Sequence, residues 1–111
     1  VHVGFFISHT SVKAKIYKKL NAIVGSGNCQ SILFCGHSAG GTCSLLAYDY
    51  INANNLPLEV VTFGSPKLGN KAFAKDFSEK IKATRIVNDR DVVPLVPMSC
   101  MGFQHAGRQL I

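Results

Sequence analysis

"QSILFCGHSAGG", Gln30 to Gly41, is the stretch on which the reading of the chain turns. Its first half, "QSILFCG", is a short continuous apolar run bounded by turn residues, the pattern of a strand buried on both faces of a sheet. Its second half sets Gly36, Ser38 and Gly40 at alternate positions and runs on into "AGGTCSLLAYDYINAN". That segment predicts a helix with small residues in its first turns and Leu45, Leu46, Tyr48 and Ile51 further along. Asn54, Asn55 and Pro57 close it. Strand, sharp turn and helix therefore follow one another. A serine at such a joint is held in a strained backbone with its hydroxyl projecting, and the glycines on either side are expected because side chains there would collide with neighbouring backbone.

Working outward, Thr10 to Val24 places Val12, Ile16, Leu20 and Ile23 on one helical face, with Thr10 or Ser11 as N-cap and Gly25 as stop. Downstream, "LEVVTFG" reads as a strand, "SPKLGN" as a loop, and "NKAFAKDFSEKIK" as a helix with Ala72, Phe73, Phe77 and Ile81 inward. "TRIVN" is a further strand. Alternation of strand and helix predicts a mostly parallel sheet with helices flanking it, joined by right-handed crossovers. No linker, repeat or low-complexity tract divides residues 1–111, so they read as one α/β unit.

Composition agrees with a packed domain: 47% of the 111 residues are apolar and 16% charged. No apolar run reaches the roughly 20 residues that a membrane-spanning helix needs. The net charge of +6 is carried by lysines on the polar faces of two expected helices and by scattered Arg85, Arg90 and Arg108. A solvated helix face accounts for that charge, and without aromatic residues interleaved among the basic ones no nucleic-acid partner is expected. Cys29, Cys35, Cys43 and Cys100 include no Cys-x-x-Cys pair and no histidine at zinc-ligand spacing, so no metal site is expected.

The chemistry centres on Ser38. In a parallel α/β sheet, reactive groups gather beyond the carboxyl ends of the strands, where the Gly36–Gly40 turn falls. The amide of Ala39, next after the serine at a helix N-terminus, is aimed where an oxyanion would form. An unassisted hydroxyl is a weak nucleophile and needs a base and an orienting carboxylate. "NDRDVVPLVP" supplies Asp89 and Asp91 beyond the "TRIV" strand, and spacing alone does not choose between them, since aspartates also form turns.

Taken together, "VHVGF", "GHSAGG", "VTFGSPKLGN", "NDRDVVPLVP" and "GFQHAG" resemble the fungal-type, or class 3, lipases, in that family's order and over essentially the whole chain. The resemblance implies an α/β-hydrolase core, incomplete at both ends, with residues 1–111 an internal part of a lipase domain. It implies a serine hydrolase of lipid carboxylic esters in which Ser38 is the nucleophile, Asp91 the acid and Ala39 an oxyanion donor, leaving Asp89 as a turn residue. The family's catalytic histidine lies further downstream than Ile111, and its lid and other oxyanion donor lie ahead of Val1. His105 matches a family position that is usually structural. His37 is read as a packing or hydrogen-bonding residue, and His2 and His9 as surface or turn residues. Serine hydrolysis needs neither metal nor nucleotide, so no cofactor is implied. The partners implied are a lipid ester and, transiently, a membrane or lipid surface. A reading from another class is a lipase-like signalling or scaffold protein without hydrolytic activity.

Overall fold

The computed structural model describes residues 1–54 and 56–111; Asn55, assigned above to the end of the second helix, lies outside them. Helix α1 spans Val3–Gly25, α2 Cys43–Ala53 and α3 Lys71–Lys80. The strands are β1 Ile32–His37, β2 Leu58–Phe63, β3 Gly69–Asn70, β4 Lys82–Ile86, β5 Phe103–Gln104 and β6 Arg108–Leu110. A 3-10 turn, Ser38–Thr42, joins β1 to α2.

Strands β1, β2, β4 and β6 form one parallel sheet in that order. Phe34 lies opposite Val60, and Val60 opposite Ala83, so the inward side chains of three strands form a continuous apolar face. Leu46, Ala47 and Tyr50 of α2, with Phe77 of α3 and Ile81 at its end, close over it. Tyr50, Phe77 and Val60 are almost wholly buried. Each large side chain so enclosed stabilises the fold by about 1.5–3 kcal/mol relative to exposure. The α/β layering expected from the alternation of elements is present.

Several local expectations are corrected. Among the described residues β1 is an edge strand and the helices cover the face bearing Phe34; Leu33 is 60% exposed and Cys35 is also exposed, so within these residues the strand is not buried on both faces. Helix α1 begins seven residues earlier than Thr10, capped by the His2 ring, which accepts the Gly4 amide at 3.2 Å. Thr10 and Ser11 lie inside it and donate back to the carbonyls of Phe6 and Ser8, at 2.8 and 2.7 Å. That local bonding is the same capacity that suggested caps. Val12 and Ile23 face solvent, while His9, Ile16, Tyr17 and Leu20 form the packing stripe. On α3 the buried positions are Ala74 and Phe77, with buried Ile81 capping its C-terminus; Ala72 falls on the opposite side and is exposed.

The sequence reading passed over two short pairings. β6 extends the parallel sheet beyond β4, and β3 pairs antiparallel with β5, Gly69 opposite Gln104. Segments of two and three residues carry too little periodicity to be read.

Candidate active site

β1, β2 and β4 end side by side, with His37 opposite Phe63 and Phe63 opposite Ile86. At that shared carboxyl edge the chain turns three times. Ser38 follows β1 directly with φ of 52°, the one non-glycine residue with positive φ among those described. Left-handed backbone costs a residue bearing Cβ on the order of 1 kcal/mol, and a strained serine at a strand-to-helix joint is what projects a hydroxyl from the sheet edge. A Cβ at Gly36 would lie 2.0 Å from the Gly40 carbonyl oxygen, so this turn closes only over a glycine.

Gly40 itself has open space around it, contrary to the expectation that both flanking glycines are sterically required. The crowded position is the next one. A Cβ at Gly41 would meet the Ser65 hydroxyl oxygen at 2.1 Å, so the turn packs directly on the loop that follows β2.

Asp91 lies in the loop beyond β4. Its amide donates to the Asn88 carbonyl at 2.9 Å, and its Oδ1 accepts the Val93 amide at 2.9 Å. The other oxygen, Oδ2, lies 2.5 Å from where a Cβ on Gly64 would stand. Gly64 follows β2, has φ of 59°, and donates its amide to Ile86 at 2.9 Å. The carboxylate of Asp91 therefore sits over the end of the strand adjacent to the one that carries Ser38. Asp89 is exposed. Ala39 is exposed in the first turn of the helical run from Ser38, where backbone amides have no intrahelical acceptor. An open cleft of about 440 Å³ lies along this edge, lined by His37, Gly64, Asn88, Arg90 and Asp91 with Phe63 and Ile86; Ser38 is not among its lining residues.

None of the four histidines is bonded to either group. His105 donates from Nε2 to the Pro94 carbonyl at 2.6 Å. Burial, with the nearby Arg85 charge, pulls its pKa down to about 4. The ring is thus neutral at physiological pH and its N–H is committed to a backbone carbonyl. His9, read above as a surface or turn residue, is 4% exposed and bonded through Nε2 to Asp49 at 2.8 Å, locking α1 to α2. His2 caps α1 and packs against Phe5 and Phe103. His37 is exposed at the cleft.

Lys67 escaped the sequence reading. It is 8% exposed, and its Nζ donates to the carbonyls of Leu95 at 2.8 Å and Pro97 at 3.2 Å. The available signal was a lone lysine inside the otherwise uncharged "FGSPKLG" loop.

A family model for class 3 lipases matches residues 1–101. The chain belongs to the class 3 lipase family, and its sheet and helices are those of an α/β-hydrolase. It is 30% identical over 106 residues to the secreted mono- and diacylglycerol lipase 1 of Fusarium solani, covering 95% of this chain and 32% of that protein. Against the phospholipase A1-II 5 of Oryza sativa subsp. indica it is 32% identical over 91 residues, covering 72% of this chain and 20% of that protein. A solved triacylglycerol lipase, whose catalytic centre is formed by a serine protease triad, superposes with a TM-score of 0.92 at 35% identity, over 98% of this chain and 43% of its own. The chain thus spans a third or less of the length of these two sequence relatives.

Proposed function

We propose that residues 1–111 are part of a lipase domain that hydrolyses carboxylic esters of lipids, with Ser38 as nucleophile and Asp91 as the orienting acid. The observation that carries this reading is the strained Ser38, at φ of 52°, on the same sheet edge as the Asp91 carboxylate. The likeness to a triacylglycerol lipase with a serine protease triad supports it.

In this mechanism an imidazole from a segment outside these 111 residues stands between the two groups. Ser38 Oγ attacks the acyl carbonyl carbon and passes its proton to that imidazole. Asp91 holds the ring in the required tautomer and balances the imidazolium. The tetrahedral oxyanion is held by the Ala39 amide, preorganised at the head of a helical turn. Collapse expels the alcohol, which takes the proton, and water then releases the fatty acid by the same steps in reverse roles. No metal or nucleotide enters the reaction. The mono- and diacylglycerol lipase and phospholipase relatives support an acyl ester of a glycerolipid as the substrate class, and a solved fungal lipase described for interfacial activation supports its presentation at a lipid surface.

A fluorophosphonate probe tests this on the full-length protein that contains the chain. Wild type is expected to label at Ser38 and Ser38→Ala to lose the label; equal labelling of the two overturns the assignment. Hydrolysis of a long-chain p-nitrophenyl ester in preference to a short one marks lipase behaviour, whereas the reverse preference makes the protein a general esterase.

A further inference from the structure

"GSPKLG", Gly64 to Gly69, the end of an expected strand and the loop after it, makes contact with both halves of the proposed machinery. On one side Ser65 fills the space beside Gly41 of the nucleophile turn. On the other, Gly64 underlies the Asp91 carboxylate. Lys67 then reaches the far end of the acid loop.

That loop, "DVVPLVP", is unusual in its needs. Pro94 and Pro97 have no amide to donate, and the carbonyls of residues 94–97 fall outside any strand ladder. Pro94 is buried and Pro97 half-buried, whereas Leu95 and Val96 are exposed, and a carbonyl withdrawn from water requires a donor. Four successive carbonyls find donors in two residues. His105 Nε2 donates to Pro94, Lys67 Nζ to Leu95 and Pro97, and the Lys67 backbone amide to Val96 at 2.9 Å. Lys67 makes no ion pair among the described residues, so its ammonium is held by backbone carbonyls. A buried ammonium without a carboxylate is costly unless its N–H groups are satisfied, and satisfying them here orders the loop. Burial keeps His105 neutral, with one N–H available for Pro94.

We propose that Lys67 and His105 are positioning residues that clamp the Asp91–Pro97 loop onto the segment supporting Ser38, and so fix the separation of nucleophile and acid. The proposal rests on the assignment of Ser38 and Asp91 above. Neither residue touches the reacting atoms; both act through the placement of Asp91.

The test uses the full-length protein and a p-nitrophenyl ester, with Asp91→Asn, Lys67→Met, His105→Leu, His105→Gln and the double variant Lys67→Met/Asp91→Asn. A displacement of about 1 Å in a catalytic group costs up to roughly a hundredfold. Lys67→Met is accordingly expected to lower kcat at least tenfold, by that same principle, with KM little changed. Because both changes act on one group, the double variant should be no slower than Asp91→Asn alone. His105→Gln, whose amide can still donate to Pro94, should retain most of the kcat that His105→Leu loses. Unchanged kcat in folded Lys67→Met, or losses that multiply in the double variant, overturns the clamp. If Lys67→Met does not fold, the His105 pair decides: equal kcat in His105→Gln and His105→Leu overturns it. A fully active Asp91→Asn would instead sink the acid assignment, which distinguishes the two failures.

Discussion

Gly36 and Gly40 look equivalent in sequence and are under opposite constraints in the fold. A Cβ at Gly36 meets the carbonyl of Gly40, backbone against backbone, with no flexible side chain to yield, whereas Gly40 opens onto free space. Gly36→Ala is expected to destabilise the chain by about 2–3 kcal/mol, in the range of overpacked sites, and Gly40→Ala to change stability by no more than about 0.5 kcal/mol. Urea unfolding followed by circular dichroism measures both, and similar midpoints for the two variants would contradict the geometry. The strained serine was legible because glycines at alternate positions between a strand and a helix have few other uses. The choice of which glycines are crowded was not, since Gly41 meets Ser65 across 24 positions of chain.

The junction of α1 and α2 shows what element-scale reading lacked. Its polar centre is Asp49, which accepts from His9 and Lys13, both at 2.8 Å. Tyr17 adds a bond to the Leu46 carbonyl at 2.7 Å and an edge contact with the Tyr50 ring. Burial pushes the Asp49 carboxyl up, but hydrogen bonds from Lys13 and His9 overcome that and hold it below the ordinary carboxylate range. A depressed folded-state value contributes stability that is fully present above the ordinary carboxylate range and is lost as pH falls from there through the lower folded-state value. Asp49→Asn is expected to cost about 1–3 kcal/mol at neutral pH, because it leaves buried His9 with a poorer partner. Lys13→Met should cost at most about 1 kcal/mol, as its ammonium is partly solvated. Thermal unfolding of the two variants provides the comparison, and an equal loss in both would refute the central role of Asp49. Helical periodicity predicted that an amphipathic helix occupies this region. It could not show which stripe packs, because Val12 and Ile23 are as apolar as the half-buried Ile16 and Leu20, and because the partner of His9 lies 40 residues away.

At the scale of the 111 residues, α2 and α3 lie against one face of the sheet with α1 packed on α2, and among the described residues β1 pairs with β2 alone. Leu33 and Phe63 face outward on the other side, 60% and 43% exposed. An apolar edge strand with unpaired backbone groups templates association. The 111-residue chain is expected to self-associate with rising concentration in light scattering, and Leu33→Lys to suppress it; an equally associating variant would place the contact elsewhere. The class 3 lipase family, the parallel α/β order and the placement of a serine, Ser38, at a strand-to-helix joint were determined by the sequence alone. Each is carried by short segments, read singly or in their order along the chain, within which glycine spacing and apolar periodicity act locally. Tertiary structure alone decided that Asp91 lies over Gly64 beside the Ser38 strand, that Lys67 and His105 hold the carbonyls of the acid loop, and that among the described residues β1 is paired on one side. Those relations join residues tens of positions apart, and they are set by how strands register and loops pack rather than by any local preference of the chain.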